Sequence, residues 1–419
     1  MSAEPDFRPG GKQMRTLVQK FGGTSLSDAR SRSYAIGHIK RALTDSYQLV
    51  VVVSAMGRKG EPYATDSLLE LIRLNGNSLP ARETDLLLHC GELISASVIC
   101  SLLEADNIRA VVLTGAQAGI RTNGRYGDAR IESIQPSRIL QALSEGKVVI
   151  VPGFQGETAQ GDITTLGRGG SDTTATAIAS ALHAEYVDIF TDVSGIFTAD
   201  PRIVDRAKPI ERVTYAEICN MAYQGAKVIH PRAVEIAMEA GVPIRVRSTF
   251  SDGEGTLVSK GDDSMISDQR LRDRFVTGIA HVSPVTQIKV AAQKEQYDLP
   301  LNVFKAMALH QISVDFINVN VSGVTYTVFH HETDRALAVL NEMGYDPEFI
   351  TECAKVSVIG GGMNGVPGIM ARIVEALTAR DIPILQSADS NATIWVLVKQ
   401  ADMIQAIQAL HHSFQLDKL

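Results

Sequence analysis

The stretch LVVVVSAMG (49–57) is an uninterrupted apolar run that ends in a turn of small residues. A run without polar alternation is typical of a strand buried on both faces of a parallel sheet. Similar runs recur in the first 250 residues: TLVQKFG (16–22), RAVVLTG (109–115), KVVIVPGF (147–154), EYVDIFTDV (185–193) and VPIRVRST (242–249). Helical patterns lie between them, at about 27–43, 82–104, 173–183 and 226–240. This alternation predicts an α/β fold, an αβα sandwich with a mostly parallel sheet.

The composition limits the classes of protein to which the chain can belong. Its 419 residues are too many for one ordinary hydrophobic core, so we expect two or three domains. Hydrophobic residues make up 45% of the chain, which is typical of a globular protein. The net charge of −7 provides no global attraction for nucleic acid or anionic membrane, and no apolar run reaches the roughly 18–20 residues of a membrane span. We therefore expect neither a nucleic-acid nor a membrane partner.

The N-terminus and the cysteines indicate a cytoplasmic protein. Residues 1–13, MSAEPDFRPGGKQ, have no apolar core, so they predict a flexible tail rather than a secretion signal, with Met14 as an alternative to Met1 as the start. The four cysteines show neither metal-type nor redox-type spacing, and a chain of this size does not need a disulfide framework. We expect a reducing environment.

A change of composition follows the first 250 residues. Residues 251–274 are polar, Gly-rich and charged, as in a linker between domains. Beyond them, HQISVDFINVNVSGVTYTVF (310–329) aligns with RDIPILQSADSNATIWVLV (380–398), and the matched Ile312 and Ile382 lie 70 residues apart. Flanking strands and helices complete two strand–helix–strand–strand–helix units, each with a half-covered sheet. We expect domains at 14–250, 275–350 and 351–419.

The segment TTLGRGGSDTTATAIASAL (164–182) places three glycines, an arginine and an aspartate before an Ala-rich helix. Two interpretations use the same parts. In the first, Ser171 or Asp172 caps a helix that runs from about Thr173 to Leu182, and the glycines serve only the turn. In the second, the free N–H groups of the helix start bind an anion, which glycine allows to approach closely. Local sequence leaves both open.

Three charged residues in the first 250 positions are candidates for binding chemistry. Lys20 precedes a Gly turn, where an ammonium group can neutralise phosphate, although a solvated lysine is the alternative. Arg168 stands between two glycines and suits a bidentate contact with carboxylate or phosphate. Glu92 interrupts an apolar helix, either as an exposed residue or as an acid that holds a substrate amino group.

Two further motifs also allow two interpretations. TDVSGIFTADPR (191–202) is either a long Asx-capped turn or a nucleotide-binding rim, with Phe197 as an apolar wall and Arg202 near the phosphates. GAKVIHPRAVEIA (225–237) places Lys227 near a helix start, which costs up to about 1 kcal/mol unless an anion offsets it. His230 is more typical of a packed structural cap than of a base.

Together these residues favour phosphoryl transfer. They include no nucleophile paired with a base and no cluster of metal ligands, but cations and Gly-rich loops follow several strands, where α/β sheets bind ligands. Phosphoryl transfer needs mainly positioning and charge neutralisation, with Mg²⁺ bridging the phosphates. Since the GxxxxGK[ST] loop is absent, we expect a different type of kinase that acts on a small acceptor.

Five motifs, in order, resemble the aspartate kinase family of the amino acid kinase superfamily: KFGGTS (20–25), TTLGRGGSDTTA (164–175), TDVSGIFTADPR, GAKVIHPRAVEIA and PIRVRSTF (243–250). The repeat is similar to the paired regulatory ACT domains of that family. GRKGEPYATDSLLEL is most similar to its monofunctional Bacillus type, whose effector is meso-diaminopimelate. The resemblance implies a three-layer amino-acid-kinase sandwich followed by two ferredoxin-like ACT domains.

The family reaction is the transfer of the ATP γ-phosphoryl group to the side-chain carboxylate of L-aspartate, which gives 4-phospho-L-aspartate. It is the first step of lysine, diaminopimelate, threonine and methionine biosynthesis. The resemblance therefore implies ATP and Mg²⁺, with the metal held mainly by the nucleotide phosphates and by no protein side chain.

The resemblance also implies roles for single residues. Lys20 matches the lysine that stabilises the transferring phosphoryl group, and Asp172 matches the acid that orients the lysines. The implied substrate contacts are Thr65, Glu92, Arg168, Gly169, Gly170 and Ser171. The implied ATP contacts are Lys20, Phe21, Gly22, Gly23, Thr191, Asp192, Phe197, Arg202 and Lys227. Phe197 replaces the family's frequent tyrosine, so any contact through a hydroxyl is lost there.

An effector site is expected at the interface of the two ACT-like units. Repeat geometry, polar groups at a Gly-rich loop and the family analogy indicate Asp315, Asn318, Met363, Val366, Pro367, Gln386 and Asp389. The candidate effectors are meso-diaminopimelate, lysine and threonine. We expect a homo-oligomer formed through the ACT domains, whose active and inhibited states the effector shifts.

Two other functions fit parts of the sequence. One is another carboxylate kinase of the superfamily, for glutamate or acetylglutamate, against which the paired tail and TDVSGIFTADPR argue. The other is an amino-acid-sensing protein with a silent kinase domain. Such a domain has no need to keep Lys20, Arg168 and Asp172 together.

Overall fold

A computed structural model provides the structure of the chain and describes residues 15–73, 79–226, 228–261, 275–292, 297–363 and 365–418. The described residues form two compact units. The first unit takes its residues from the ranges 15–196, 209–219 and 228–261. The second takes its residues from the ranges 197–208, 220–226 and 275–418. The domain boundaries predicted from the sequence stay predictions.

The first unit alternates strands and helices. Its strands are β1 (Arg15–Phe21), β2 (Tyr47–Val53), β3 (Ala110–Val112), β4 (Ile120–Thr122), β5 (Ile131–Ile134), β6 (Val148–Pro152), β7 (Gln155–Glu157), β8 (Ile163–Thr165), β9 (Tyr186–Thr191), β10 (Arg212–Thr214), β11 (Ile244–Ser248) and β12 (Thr256–Ser259). Its helices, of which α7 continues into the second unit, are α1 (Gly23–Leu26), α2 (Ala29–Thr44), α3 (Thr65–Arg73), α4 (Ala81–Ala105), α5 (Ser137–Ser144), α6 (Gly170–Ala181), α7 (Tyr215–Tyr223) and α8 (Pro231–Ala240).

The main sheet has eight strands in the order β10-β12-β11-β9-β1-β2-β6-β3. All neighbours are parallel except β11 and β12. The predicted α/β sandwich with a mostly parallel sheet is therefore confirmed. A smaller sheet, in the order β5-β4-β7-β8, ends at the strand that leads into the Gly-rich loop.

The apolar run that predicted a central strand forms the centre of the core. Residues 49–53 of β2 are all buried, because helices cover this part of the sheet. The buried faces of α2 and α4 pack against β1 and β2 in one cluster, which includes Ile39, Ile99 and Leu103. Asp28 begins α2 by accepting a hydrogen bond from the Ser31 amide at 2.7 Å.

Helix α4 is long and apolar enough, by length and composition, to cross a membrane. It carries the buried acids Asp85 and Glu92 and contributes Ala96 and Ile99 to the core of the first unit. These contacts place one face of α4 in the core of the first unit.

The second unit contains the predicted repeat. Its strands are β13 (Gly278–Ala291), β14 (Asp315–Asn320), β15 (Gly323–Phe329), β16 (Glu348–Ile359), β17 (Gln386–Asp389) and β18 (Thr393–Lys399). Its helices are α9 (Leu299–Leu309), α10 (Thr333–Glu342), α11 (Ile369–Thr378) and α12 (Met403–Ser413). The orders β13–α9–β14–β15–α10 and β16–α11–β17–β18–α12 are the two ferredoxin-like units expected from the repeat.

Two long strands are shared between the repeats. The sheet order is β14-β15-β13-β16-β18-β17. Residues 278–282 of β13 pair with 355–359 of β16. Residues 285–291 of β13 pair with β15, and four of them also pair with the first half of β16. A register shift between Val282 and Val285 separates the two halves. The first half of β13 therefore pairs with a strand of the second repeat, and the first half of β16 pairs with a strand of the first repeat.

Two segments that precede residue 227 belong to the second unit. In 197–208, Ala199 and Val204 lie in the same hydrophobic cluster as the α11 and α12 side chains. Thr198 Oγ1 lies 2.9 Å from His411 Nε2 in a buried hydrogen bond. In 220–226, Gln224 Oε1 accepts a hydrogen bond from Ser357 Oγ at 3.1 Å. Residue periodicity did not predict either attachment.

Candidate active site

Lys20 and Asp172 form a buried ion pair. Lys20 lies at the end of β1, and its Nζ is 2.6 Å from Asp172 Oδ1 in the first turn of α6. Their side chains are only 12% and 11% exposed. A charge pair shielded in this way interacts more strongly than one in water. The structure thus brings together the lysine and the acid that the family resemblance had related to each other.

Of the two interpretations of the Gly-rich segment, the one in which Ser171 or Asp172 caps α6 does not fit the structure. The helix begins at Gly170 rather than near Thr173, and its N-cap is Gly169, without a side-chain cap bond. Gly169 has φ +71°, a left-handed conformation that favours glycine. Asp172 therefore directs its carboxylate to Lys20 instead of capping the helix.

The Gly-rich loop between β8 and α6 presents Arg168 to solvent. Arg168 is exposed, and no side chain among the residues that the structure describes pairs with its guanidinium group. A Cβ atom at Gly169 would collide with the His230 ring, and one at Gly170 would lie 2.7 Å from the Phe154 ring. The backbone of the loop is thus tightly packed, while the Arg168 guanidinium group is free to bind a ligand.

Glu92 is a buried acid with one free oxygen. It is 2% exposed, which excludes the interpretation as a surface residue of α4. Its Oε1 accepts a hydrogen bond from the Ala55 amide at 3.3 Å, and its Oε2 has no partner among the described residues. Burial raises the pKa of Glu92 to about 8. A buried carboxyl group that lacks a partner fits the binding of a cation.

The loops that follow β1 and β2 pack closely together. A Cβ atom at Gly23 would lie 2.6 Å from the Ala55 oxygen, and the Gly57 amide donates to the Gly23 oxygen at 3.0 Å. Gly22 is the N-cap residue of α1. The Phe21 side chain is fully buried and stacks on Phe190, so a nucleotide contact there would come from the backbone.

A cation that sequence reasoning missed lies at the end of β9. The Arg58 guanidinium group is 2.7 Å from Asp192 Oδ2, and Thr191 Oγ1 donates to Asp192 Oδ1 at 3.1 Å. The only signal for Arg58 was its position between Gly57 and Gly60 in GRKG. Thr191 and Asp192 are thus brought together with a positive charge.

The remaining predicted ATP and substrate residues lie in different surroundings. Thr65 is the first residue of α3. Phe197 and Arg202 belong to the second unit, where Arg202 pairs with Asp200 at 2.7 Å. Lys227 lies outside the described residues.

His230 has the structural role that the sequence favoured. Its Nδ1 accepts a hydrogen bond from the Arg232 amide at 3.3 Å and caps α8. Burial lowers its pKa, so the imidazole is neutral near pH 7. Among the described residues, no group of three or more His, Cys, Asp or Glu side chains has the arrangement of a metal site.

The predicted effector residues fall into two places in the second unit. Gln386 Nε2 donates to the Phe316 oxygen at 2.6 Å, and the adjacent Asp315 pairs with the buried Lys355 ammonium group. Val366 and Pro367 instead line a cavity of about 220 Å³, whose lining includes neither Asp315 nor Gln386. Met363 is buried, and Asn318 and Asp389 are exposed.

The mostly parallel sheet, the lysine–aspartate pair and the Gly-rich loops at strand ends fit a phosphoryl-transfer enzyme, and comparison with known proteins identifies it as a kinase of the amino acid kinase class. The profile of the amino acid kinase family matches residues 15–248, and the ACT domain profile matches residues 348–412. Aspartokinase 1 of Bacillus subtilis (strain 168) is 55% identical, over 97% of this chain and all of that protein. Aspartokinase of Geobacillus stearothermophilus is 40% identical over 96% of this chain and 98% of its own length.

Solved structures show the same relationship. The E. coli aspartokinase III complex with aspartate and ADP has a TM-score of 0.77 and 28% identity, and covers 95% of this chain and 99% of that one. Its complex with lysine and aspartate has a TM-score of 0.74, with the same identity and coverage. The chain belongs to the aspartokinase family: it is an enzyme that transfers a phosphoryl group from ATP to the side-chain carboxylate of aspartate.

Proposed function

We propose that the Lys20–Asp172 pair and the Gly-rich loop form the centre of this aspartate kinase. Lys20 stabilises the transferring phosphoryl group, and Asp172 orients the Lys20 ammonium group. Arg168 and the backbone of Gly169–Ser171 hold the acceptor carboxylates, with Thr65 as a further contact. The observation that carries this proposal is the 2.6 Å ion pair in the first turn of the helix that follows the Arg168 loop.

Phosphoryl transfer requires the protein mainly to position the substrates and to neutralise their charge. An oxygen of the aspartate side-chain carboxylate attacks the γ-phosphorus, and the bond from that phosphorus to the bridging oxygen of ADP breaks. Because the carboxylate is ionised near pH 7, no base has to remove a proton. The protein has to bring two anions together and neutralise their charge.

The ATP side of the site is proposed to use the loops after β1 and β9. Gly22 and Gly23 offer amide groups at the start of α1, and Lys20 and Arg58 bring positive charge to these strand ends. The further proposed contacts are Phe21, Thr191, Asp192, Phe197, Arg202 and Lys227.

Mg²⁺ is proposed as the partner of the nucleotide. Asp172 is occupied by Lys20, and the described residues hold no acidic cluster, so the phosphates and water would supply the ligands. When bound, Mg²⁺ neutralises phosphate charge. Loss of activity in excess chelator, restored by added Mg²⁺, tests this.

Glu92 is proposed to bind the substrate ammonium group, which predicts a pH dependence. Since burial raises the pKa of Glu92 to about 8, the free enzyme carries a neutral carboxyl group below that pH. Binding of an ammonium group requires the carboxylate, so KM for aspartate should fall about tenfold per pH unit from pH 6 to 7 and level off above 8. KM for ATP should not follow this trend.

The matched variant is Glu92→Gln, which should raise KM for aspartate and flatten its pH profile. The folded state binds the Glu92 proton more tightly than the unfolded state, so the stability contributed by this group falls as pH rises from 4.5 to about 8. Glu92→Gln should therefore melt at a higher temperature than the parent at pH 8.5. A parental KM for aspartate in Glu92→Gln would remove Glu92 from the site.

The second unit is proposed to bind an amino-acid effector that regulates the kinase. The paired ferredoxin-like units support this, as does the lysine bound in the E. coli aspartokinase III complex. The candidate residues are Asp315, Asn318, Met363, Val366, Pro367, Gln386 and Asp389, and the candidate effectors are meso-diaminopimelate, lysine and threonine. Titration of each amino acid into the kinase assay tests the choice; no response to any of them would contradict it.

A homo-oligomer formed through the second unit is also proposed. Strand β14 is an edge strand, and its side chains Ile317 and Val319 are exposed, as is the neighbouring Val321. An exposed apolar edge is a surface that another copy of the same strand can pair with. Val319→Lys should therefore shift the solution mass toward the monomer in light scattering. Leu140→Lys, at an exposed position on α5, is the control; equal masses for both variants would refute the interface.

A cytoplasmic location is proposed as well. The four cysteines, which lack disulfide-type spacing, support it. Recovery of the protein in the membrane or secreted fraction of cells would contradict it.

A further inference from the structure

Asp85 is a fully buried carboxylate that is not among the proposed substrate contacts. It lies near the start of α4, with 0% of its surface exposed. Its Oδ2 accepts hydrogen bonds from the Gly127 amide at 2.9 Å and the Thr165 amide at 2.8 Å. Its Oδ1 accepts one from Thr165 Oγ1 at 2.7 Å and a longer one from Gly127 at 3.1 Å. Both oxygens are therefore fully used, which is what an isolated buried carboxylate requires.

These bonds fix the chain where the Gly-rich loop begins. Thr165 is the last residue of β8, three positions before Arg168. Gly127 belongs to a turn that packs beneath the loop, because a Cβ atom at Gly167 would lie 3.2 Å from the Gly127 oxygen. Asp85 thus ties the strand end and the supporting turn to α4.

Arg232 holds the same loop through its oxygens. Its guanidinium group donates to the Leu166 oxygen at 3.0 Å and to the Ala129 oxygen at 2.8 Å. The loop is therefore held by an anion that accepts from its amide groups and by a cation that donates to its carbonyl groups. Such charge-assisted bonds are stronger and more directional than neutral ones.

Helix α4 also carries the acid proposed for the substrate ammonium group. Asp85 and Glu92 are seven residues apart, about two helical turns, so they project from the same face of α4. One rigid helix thereby sets the spacing between the anchor of the Arg168 loop and the Glu92 carboxyl group.

We infer that Asp85 is a positioning residue for the acceptor: it holds Thr165 and Gly127 so that Arg168 and the Gly169–Ser171 backbone face the aspartate carboxylates at a set distance from Glu92. This inference rests on the proposed roles of Arg168 and Glu92. It assigns no contact between Asp85 and substrate.

The test is Asp85→Asn in the full-length enzyme. The amide keeps the shape of the side chain, but it offers one acceptor oxygen and places an NH₂ group against amide donors. KM for aspartate should rise at least about tenfold, while KM for ATP stays within twofold. Asp188→Asn is the control, because Asp188 is equally buried and accepts from Arg245 and Arg247. It should lower Tm and leave KM for aspartate within twofold.

If Asp85→Asn fails to fold, two variants of Thr165 test the same inference. Thr165→Val removes the hydroxyl donor to Asp85 with little change of volume, whereas Thr165→Ser keeps it. Thr165→Val should raise KM for aspartate severalfold, and Thr165→Ser should raise it by less than a third of that. Equal effects on KM for the two substrates, or a fall in Tm with KM for aspartate unchanged, would overturn the inference.

Arg168→Gln, measured beside these variants, separates the two claims. A raised KM for aspartate in Arg168→Gln together with a parental KM in Asp85→Asn overturns the role of Asp85 alone. The reverse result overturns the assignment of Arg168 and leaves Asp85 as the anchor of a loop that binds through its backbone.

Discussion

Lys20→Ala is expected to lower kcat by about 10³-fold. The ammonium group is the cation proposed to meet the charge that develops on the transferring phosphoryl group, and the loss of one such preorganised donor typically costs a factor of 10²–10³ or more. The pair with Asp172, 2.6 Å away and largely shielded from water, keeps the Lys20 ammonium group in one position. KM for aspartate should change far less than kcat. Steady-state kinetics on protein checked by circular dichroism measures both.

The same change also affects stability, because it leaves Asp172 buried without its partner. Breaking a buried ion pair in this way costs about 3–5 kcal/mol. The double variant Lys20→Ala/Asp172→Asn removes both charges, so it should recover much of the lost melting temperature and none of the activity. Lys40→Ala, which removes an exposed pair with Asp106, is the control for the loss of a lysine. A Lys20→Ala enzyme with near-parental kcat would exclude Lys20 from the mechanism.

Asp172→Asn is expected to lower kcat by about 10²-fold while α6 stays intact. The helix starts on Gly169 without a side-chain cap, so the change removes no cap bond. It removes the negative charge that orients Lys20, and a neutral amide holds an ammonium group less strongly. Far-ultraviolet circular dichroism and the kcat values for the parent and the variant measure the two effects separately.

Asp28→Ala provides the opposite control, because Asp28 does cap α2 through the Ser31 amide. It should lower Tm and leave kcat unchanged. If Asp172→Asn instead lowered Tm and left kcat unchanged, Asp172 would be a structural residue of α6 rather than the partner of a catalytic lysine.

The sequence predicted the layers of the fold well, because uninterrupted apolar runs such as residues 49–53 form strands that are buried on both faces. Residue patterns located Lys20 and Asp172 at strand and helix ends, and only the family resemblance implied that the acid orients the lysine. Their contact depends on β1 lying inside the sheet beside α6, which is a long-range property. Local sequence left open whether Ser171 or Asp172 caps the helix, and the structure excludes this cap because Gly169, in a left-handed conformation, starts the helix earlier.

Other features left little local signal. The attachment of residues 197–208 to the second unit depends on Thr198 meeting His411, far along the chain. The sequence around Asp85 gave no sign of its role, because its partners are two backbone amides and one hydroxyl group from distant segments. Arg58 differs from a surface arginine only through its contact with Asp192. Such residues are identified by geometry, because their chemistry arises from contacts between distant segments.

The most direct test of the account is to trap the acyl phosphate as a hydroxamate. The enzyme is incubated with ATP, Mg²⁺ and hydroxylamine, and with aspartate, glutamate, acetylglutamate or no acceptor. The account predicts a hydroxamate signal with aspartate at least about tenfold above the other three reactions, and its loss in Lys20→Ala. An aspartate signal equal to the blank would contradict the account, as would a larger signal with either of the other acceptors.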